Sequence, residues 1–190
     1  MDLSELLKKQ EEANVDAADG DISVEEVDEE QGDINIIQLV SFVIDEVEYG
    51  VDILSVHEIL RIPEITRLPN TPPFIKGVIN LRGNVLPVVD VRNRFGFPRG
   101  KITDLTRIIV IETADKQVGL LVDNVHQVVR IPDSHVDPPS DLIEGVSEEF
   151  ILGIGRLKDR LIVILNTSNI IFEGEELEEQ YSSDSRVLVQ

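Results

Sequence analysis

The stretch VHEILRIP at residues 56–63 returns as VHQVVRIP at residues 125–132, with five of eight positions identical and an offset of 69. The likeness extends outward: YGVDILSVHEILRIP at 49–63 pairs with VGLLVDNVHQVVRIP at 118–132. After a loop seven residues longer in the second copy, KGVINLRGNVLPVVDV (76–91) pairs with LGIGRLKDRLIVILNT (152–167). There Gly77 meets Gly153, Leu81 meets Leu157, and Asp90 meets Asn166. The chain therefore contains one structural unit twice, and positions where the copies differ are candidates for function.

Short runs rich in Val and Ile, separated by turn residues, predict strands at 37–44, 47–53, 56–62, 76–81 and 85–91. A second series falls at 107–112, 118–122, 125–131, 151–157 and 161–166. Branched side chains suit a pleated, half-buried surface. Val47, Tyr49, Val51 and Ile53 share one strand face, opposed by Glu48 and Asp52. Two five-strand units of this size point to a mainly β fold of two small barrels, since closure removes vulnerable sheet edges. The expected limits are a body at 36–172, with a first barrel at about 36–98 and a second at about 103–168. FGFPRGK (95–101) has the glycine and proline of a connector. NTSNIIF (166–172) predicts a short helix capped by Asn166 or Thr167.

The formal charge is −20, and it sits mainly at the ends. Residues 1–35 hold 13 acidic and 2 basic side chains, and 173–190 hold 6 and 1, which leaves a net of −4 on the body. MDLSELLKKQEE can start an amphipathic helix, but the rest of the N-terminal segment and the C-terminal tail read as solvated, disordered acidic ends. A nucleic-acid partner would need a basic stripe, so this class is disfavoured, and so is an anionic membrane surface. With no cysteine, there is neither a disulfide framework nor thiolate chemistry. No basic region followed by an apolar run opens the chain, and no apolar stretch has the length of a membrane span, which predicts a cytosolic body.

Catalytic signals are weak. His57 and His126 fall at equivalent places in the repeat, which reads as a shared strand position, and no HxH or HxxxH spacing joins the three histidines. GIG at 153–155 lies in a predicted strand with no helix after it to present to a phosphate. No serine has the GxSxG setting of an esterase elbow. No enzyme, cofactor or metal is expected.

Two contrasts between the copies stand out. The hairpin turn RGN at 82–84 would hold Arg82 at a tip, with Gly83 or Asn84 supplying the positive φ; the second copy has KDR there. Arg82 reads either as an unremarkable surface arginine or as a preordered fork that anchors a partner. Glu58 stands where the second copy has Gln127, and reads either as drift on an exposed face or as a surface only one copy uses.

YGVDILSVHEI, TRLPNTPPFIKGVINLRGNVLPVVDVRNRFG and VGLLVDNVHQV together resemble the CheW family of chemotaxis coupling proteins, and the likeness covers about residues 36–172. The resemblance implies two five-stranded SH3-like barrels packed side by side around an apolar seam, and an adaptor without catalysis. It also implies two partners: the regulatory domain of the CheA histidine kinase, and the cytoplasmic tips of methyl-accepting receptors in an array at the inner face of the membrane. The arginine of NLRG and the glutamate of VxEI carry such contacts in the family; they match Arg82 and Glu58. The receptor is expected along a groove near Val56, Gly77, Gly119 and Val125, with the kinase on the first barrel. The acidic extensions depart from many relatives and leave open which pathway is served.

Overall fold

The computed structural model describes residues 35–112, 116–139 and 146–171. The acidic segment up to residue 34, its expected helix, and the tail from 172 onward lie outside the described residues. All ten expected strands are present, each within one residue at either end. They are β1 (Ile36–Ile44), β2 (Val47–Asp52), β3 (Val56–Arg61), β4 (Ile75–Leu81), β5 (Asn84–Asp90), β6 (Arg107–Glu112), β7 (Gln117–Val122), β8 (Asn124–Pro132), β10 (Ile151–Arg156) and β11 (Leu161–Leu165). A two-residue strand, β9 (Val136–Asp137), was not anticipated.

Two short helices follow equivalent strands. Helix α1 (Val91–Arg94) comes after β5, and α2 (Thr167–Ile171) after β11. Each opens on the paired residue from the duplicated stretch. Asp90 accepts a hydrogen bond from the Asn93 amide at 3.2 Å, and Asn166 accepts from the Asn169 amide at 3.4 Å. The capping carboxamide of α2 was legible in the sequence; that Asp90 does the same for the first copy was not.

The strands form two sheets, ordered β8-β1-β2-β11-β10-β9 and β3-β6-β7-β5-β4. Neither sheet is built from one half of the chain. The first two strands of each half join the last three of the other, so the spans 36–98 and 103–168 both contribute to both sheets. Parallel ladders join the halves, with Gly50 opposite Ile164 in one sheet and Gly119 opposite Val88 in the other. These registers are equivalent under the offsets of the repeat. Exchange of the hairpins leaves every local environment the same, so the repeat pattern could not show it.

Core strands are buried on both faces. Along β6, Ile109 and Ile111 face a central seam that both halves line, while Ile108 and Val110 fill the interior of one barrel with Ile79, Leu86 and Val88. Along β1, Val40, Phe42 and Ile44 face the seam, while Leu39 joins Val129, Ile131, Ile162 and Ile164 in the other barrel. Both barrel interiors are therefore packed with aliphatic side chains, each contributing roughly 1.5–3 kcal/mol when fully buried. An aromatic chain runs through the seam, with ring centroids 6.1 Å apart for Phe42–Tyr49, 5.6 Å for Tyr49–Phe95 and 5.7 Å for Phe95–Phe150.

Tyr49 is fully buried, and among the described residues its hydroxyl has no hydrogen-bond partner. Burial first, and the charge of Asp45 second, push its pKa up from 10.0 to about 12.

Candidate functional site

Glu58 lies on β3 and Arg82 in the β4–β5 turn, on the opposite edges of the five-stranded sheet. They nonetheless meet: Arg82 Nη2 donates to Glu58 Oε2 at 3.4 Å. The sheet must curl until its edges approach, and the residues between show how. Read across the strands in register, Glu58 is opposite Val110, Val110 opposite Gly119, Gly119 opposite Val88, and Val88 opposite Gly77. Three of the six residues expected at partner contacts thus share one transverse row. Two of them are glycines whose missing side chains allow close packing. A Cβ on Gly119 would stand 2.7 Å from Ile108 Cγ2, and one on Gly77 would stand 2.2 Å from the Thr66 carbonyl oxygen.

The turn itself differs in detail from the expectation. Arg82 and Gly83 both have positive φ, 52° and 92°, and Asn84 already belongs to β5. Two consecutive residues of this kind make the primed turn that suits strand twist. Asn80 Oδ1 accepts from the Gly83 amide at 3.0 Å and fixes the tip. Arg82 is 76% exposed while the Glu58 side chain is 14% exposed, so a guanidinium projects above a carboxylate sunk in the surface. Among the described residues, Glu58 Oε1 has no hydrogen-bond partner. Val85, on the strand that leaves the turn, is 59% exposed.

The other expected residues are placed as follows. Val56 is buried on β3, two residues from Glu58, beside a bulge at His57. Val125 occupies the equivalent place on β8, beside the equivalent irregularity at His126. It lines an open depression of about 450 Å³ with Arg107, His126, Gln127 and Arg160. Under the offsets of the repeat these positions map onto 38, 56, 57, 58 and 84. The depression is therefore the second-half counterpart of the Glu58 face, with Gln127 in place of the carboxylate. Among the described residues, no three His, Asp or Glu side chains gather to hold a metal, and no helix is long and apolar enough to cross a membrane.

Sequence reasoning missed Arg92, which joins three distant segments. Its Nε donates to Asp123 Oδ2 at 2.9 Å, its Nη2 to Asp45 Oδ1 at 2.9 Å, and its Nη1 to the Pro98 carbonyl at 3.1 Å. Burial works against its charge, but the hydrogen bonds and charges of Asp123 and Asp45 outweigh that and raise its pKa above the ordinary guanidinium value. The second copy has Ser168 at the matching position, a contrast that could have flagged it. Arg94, next on the same helix, is stacked between Phe74 and Phe150, 4.3 and 4.7 Å from the ring centroids.

Residues 38–175 match a family model described as a CheW-like domain. The chemotaxis protein CheW of Helicobacter pylori is 32% identical over 169 residues, spanning 89% of this chain and 95% of that protein. Protein FrzA of Myxococcus xanthus is 33% identical over 132 residues, 68% of this chain and 82% of its own length. The crystal structure of the scaffolding protein TtCheW from Thermoanaerobacter tengcongensis superposes with a TM-score of 0.69 at 36% identity, covering 75% of this chain and 97% of that one. The repeat, the paired sheets and these matches agree: the chain belongs to the CheW family of chemotaxis scaffold proteins.

Proposed function

We propose that this protein is a non-catalytic adaptor that couples the cytoplasmic tips of methyl-accepting chemoreceptors to the regulatory domain of the CheA histidine kinase, in an array at the inner face of the membrane. One observation carries the reading. The two residues that set the first copy apart from the second, drawn from opposite edges of a sheet, form a single exposed guanidinium over a sunken carboxylate. An ion pair this exposed stabilises the fold by about 0–1 kcal/mol, so folding alone gives little reason for it. A forked cation on a turn fixed by Asn80 is instead suited to anchor an interface.

In this reading Glu58 and Arg82 touch the partner, while Gly77 and Gly119 act through the curl that brings the pair together. Val56 and Val125 shape the equivalent grooves in the two halves, where a receptor helix would lie. Each contact is weak alone; holding both partners in a lattice raises effective concentration and strengthens engagement by about 10²–10⁴. Signal then passes as a preference for one kinase arrangement over another, since a scaffold that favours neither shifts nothing.

The test is a reconstituted assay with receptor fragment, kinase and adaptor. Arg82→Ala should leave the thermal transition in place and abolish most kinase activation. Full activation by that variant would refute the reading.

A further inference from the structure

Beside the Glu58–Arg82 pair, at the bulge of β3, the His57 ring lies between two carboxylates. Its Nδ1 is 3.2 Å from Glu112 Oε2 on β6, and its Nε2 is 3.9 Å from Glu58 Oε1. Both distances are ion-pair distances without hydrogen-bond geometry, so the neutral ring gains little from either carboxylate. A charged imidazolium is attracted by both at once. Glu58 Oε1, the oxygen 3.9 Å from His57, is also the one without a hydrogen-bond donor among the described residues.

The second copy serves as an internal control. His126 sits at the same bulge, but its neighbours are Gln127 and Val43 where His57 has Glu58 and Glu112. The histidine is shared; its acidic surroundings belong to the first copy alone.

We propose that His57 is a positioning residue of the partner-binding site, acting through Glu58. When its ring is charged, it attracts Glu58 from the side away from any hydrogen bond to Arg82, at Oε1, and the cluster of Glu58, Glu112, His57 and Arg82 is neutral instead of carrying one net negative charge. The exposed Arg82 fork is then less neutralised by Glu58 and receives an anionic side chain of the partner more tightly. Arg82 Nη2 gives Glu58 only a long bond, so most of its N–H groups remain for such a group. Because imidazole changes charge between about pH 5 and 8, affinity strengthens as pH falls through that range. The inference rests on the adaptor reading above.

The experiment is titration calorimetry of the full chain with the kinase regulatory domain and with a receptor cytoplasmic fragment, at pH 6 and pH 8. The wild type should bind about two- to fivefold more tightly at pH 6, the range expected of an exposed charge pair. His57→Gln should lose that difference and match the weaker value, whereas His57→Lys, a permanent cation, should lose it and keep the tighter one. His126→Gln, whatever its absolute affinity, should keep the wild-type ratio between pH 6 and pH 8. If Arg82→Ala weakens binding but His57→Gln follows the wild-type pH profile, the role of His57 is refuted and the adaptor reading stands. If Arg82→Ala binds as well as wild type, the adaptor reading fails first.

Discussion

Substituting Gly77 with alanine tests whether this glycine matters through packing or through direct contact. Its φ is +147°, and an added methyl would meet the Thr66 carbonyl oxygen at 2.2 Å and Ile65 Cγ2 at 2.9 Å. The clash forces the carbonyl to move, although two hydrogen bonds hold it there: the Thr66 amide donates to the Val78 carbonyl at 2.9 Å and the Val78 amide donates to the Thr66 carbonyl at 2.8 Å. Losing both hydrogen bonds costs about 1–3 kcal/mol in total, and holding an L residue at that backbone angle about 1–3 kcal/mol more. The sum is about 2–6 kcal/mol. At about 2–4 °C per kcal/mol for a chain of this size, the melting temperature should drop by roughly 10 °C. Gly83→Ala is the control. Gly83 also has positive φ, +92°, but nothing lies within 4 Å of its added Cβ, so only the backbone cost of about 1–2 kcal/mol applies. Urea denaturation of both variants decides the matter. A Gly77→Ala protein within 1 kcal/mol of wild type, or no more affected than Gly83→Ala, would refute the packing argument.

Three further outcomes follow from the structure. Arg92→Ala removes the link between the β1–β2 turn, the β7–β8 turn and the connector, and should cost about 2–3 kcal/mol in urea denaturation, a buried-pair value reduced for the partial exposure of Asp45 and Asp123. Ser41 is fully buried where the other copy has Val110, and its hydroxyl has no partner among the described residues; Ser41→Ala should therefore be neutral to about 1 kcal/mol stabilising in the same assay. Tyr49 ionises near pH 12 folded and near 10.0 unfolded, so the unfolded chain loses its proton first and stability falls as pH rises through that interval. Tyr49→Phe should flatten the alkaline decline, read as melting temperature against pH.

Much of this was visible in the sequence because the fold is written twice. Alternation gave the strands, and two copies of each boundary confirmed one another. The exchange of hairpins was hidden, since Gly50 meets Ile164 in the same environment in which Gly119 meets Val88. Glu58 and Arg82 were found by contrast between copies, but their meeting depends on the curl of a whole sheet and no spacing encodes that. Arg92 escaped because its partners, Asp45, Asp123 and Pro98, are gathered by turns from three parts of the chain. In the sequence His57 is only a shared strand position, because Glu112, which gives it a charged setting, comes from a different strand.

The central claim is that one copy of the repeat grips a partner through a charged pair that the other lacks. Its most direct test is parallel binding of wild type, Arg82→Ala and Lys158→Ala, the last changing the matching tip of the second copy, to the kinase regulatory domain and a receptor fragment. The account predicts at least about tenfold weaker binding for Arg82→Ala, as for an interface anchor, with unchanged melting, and wild-type binding for Lys158→Ala. Equal losses at both tips, or none at Arg82, would contradict it.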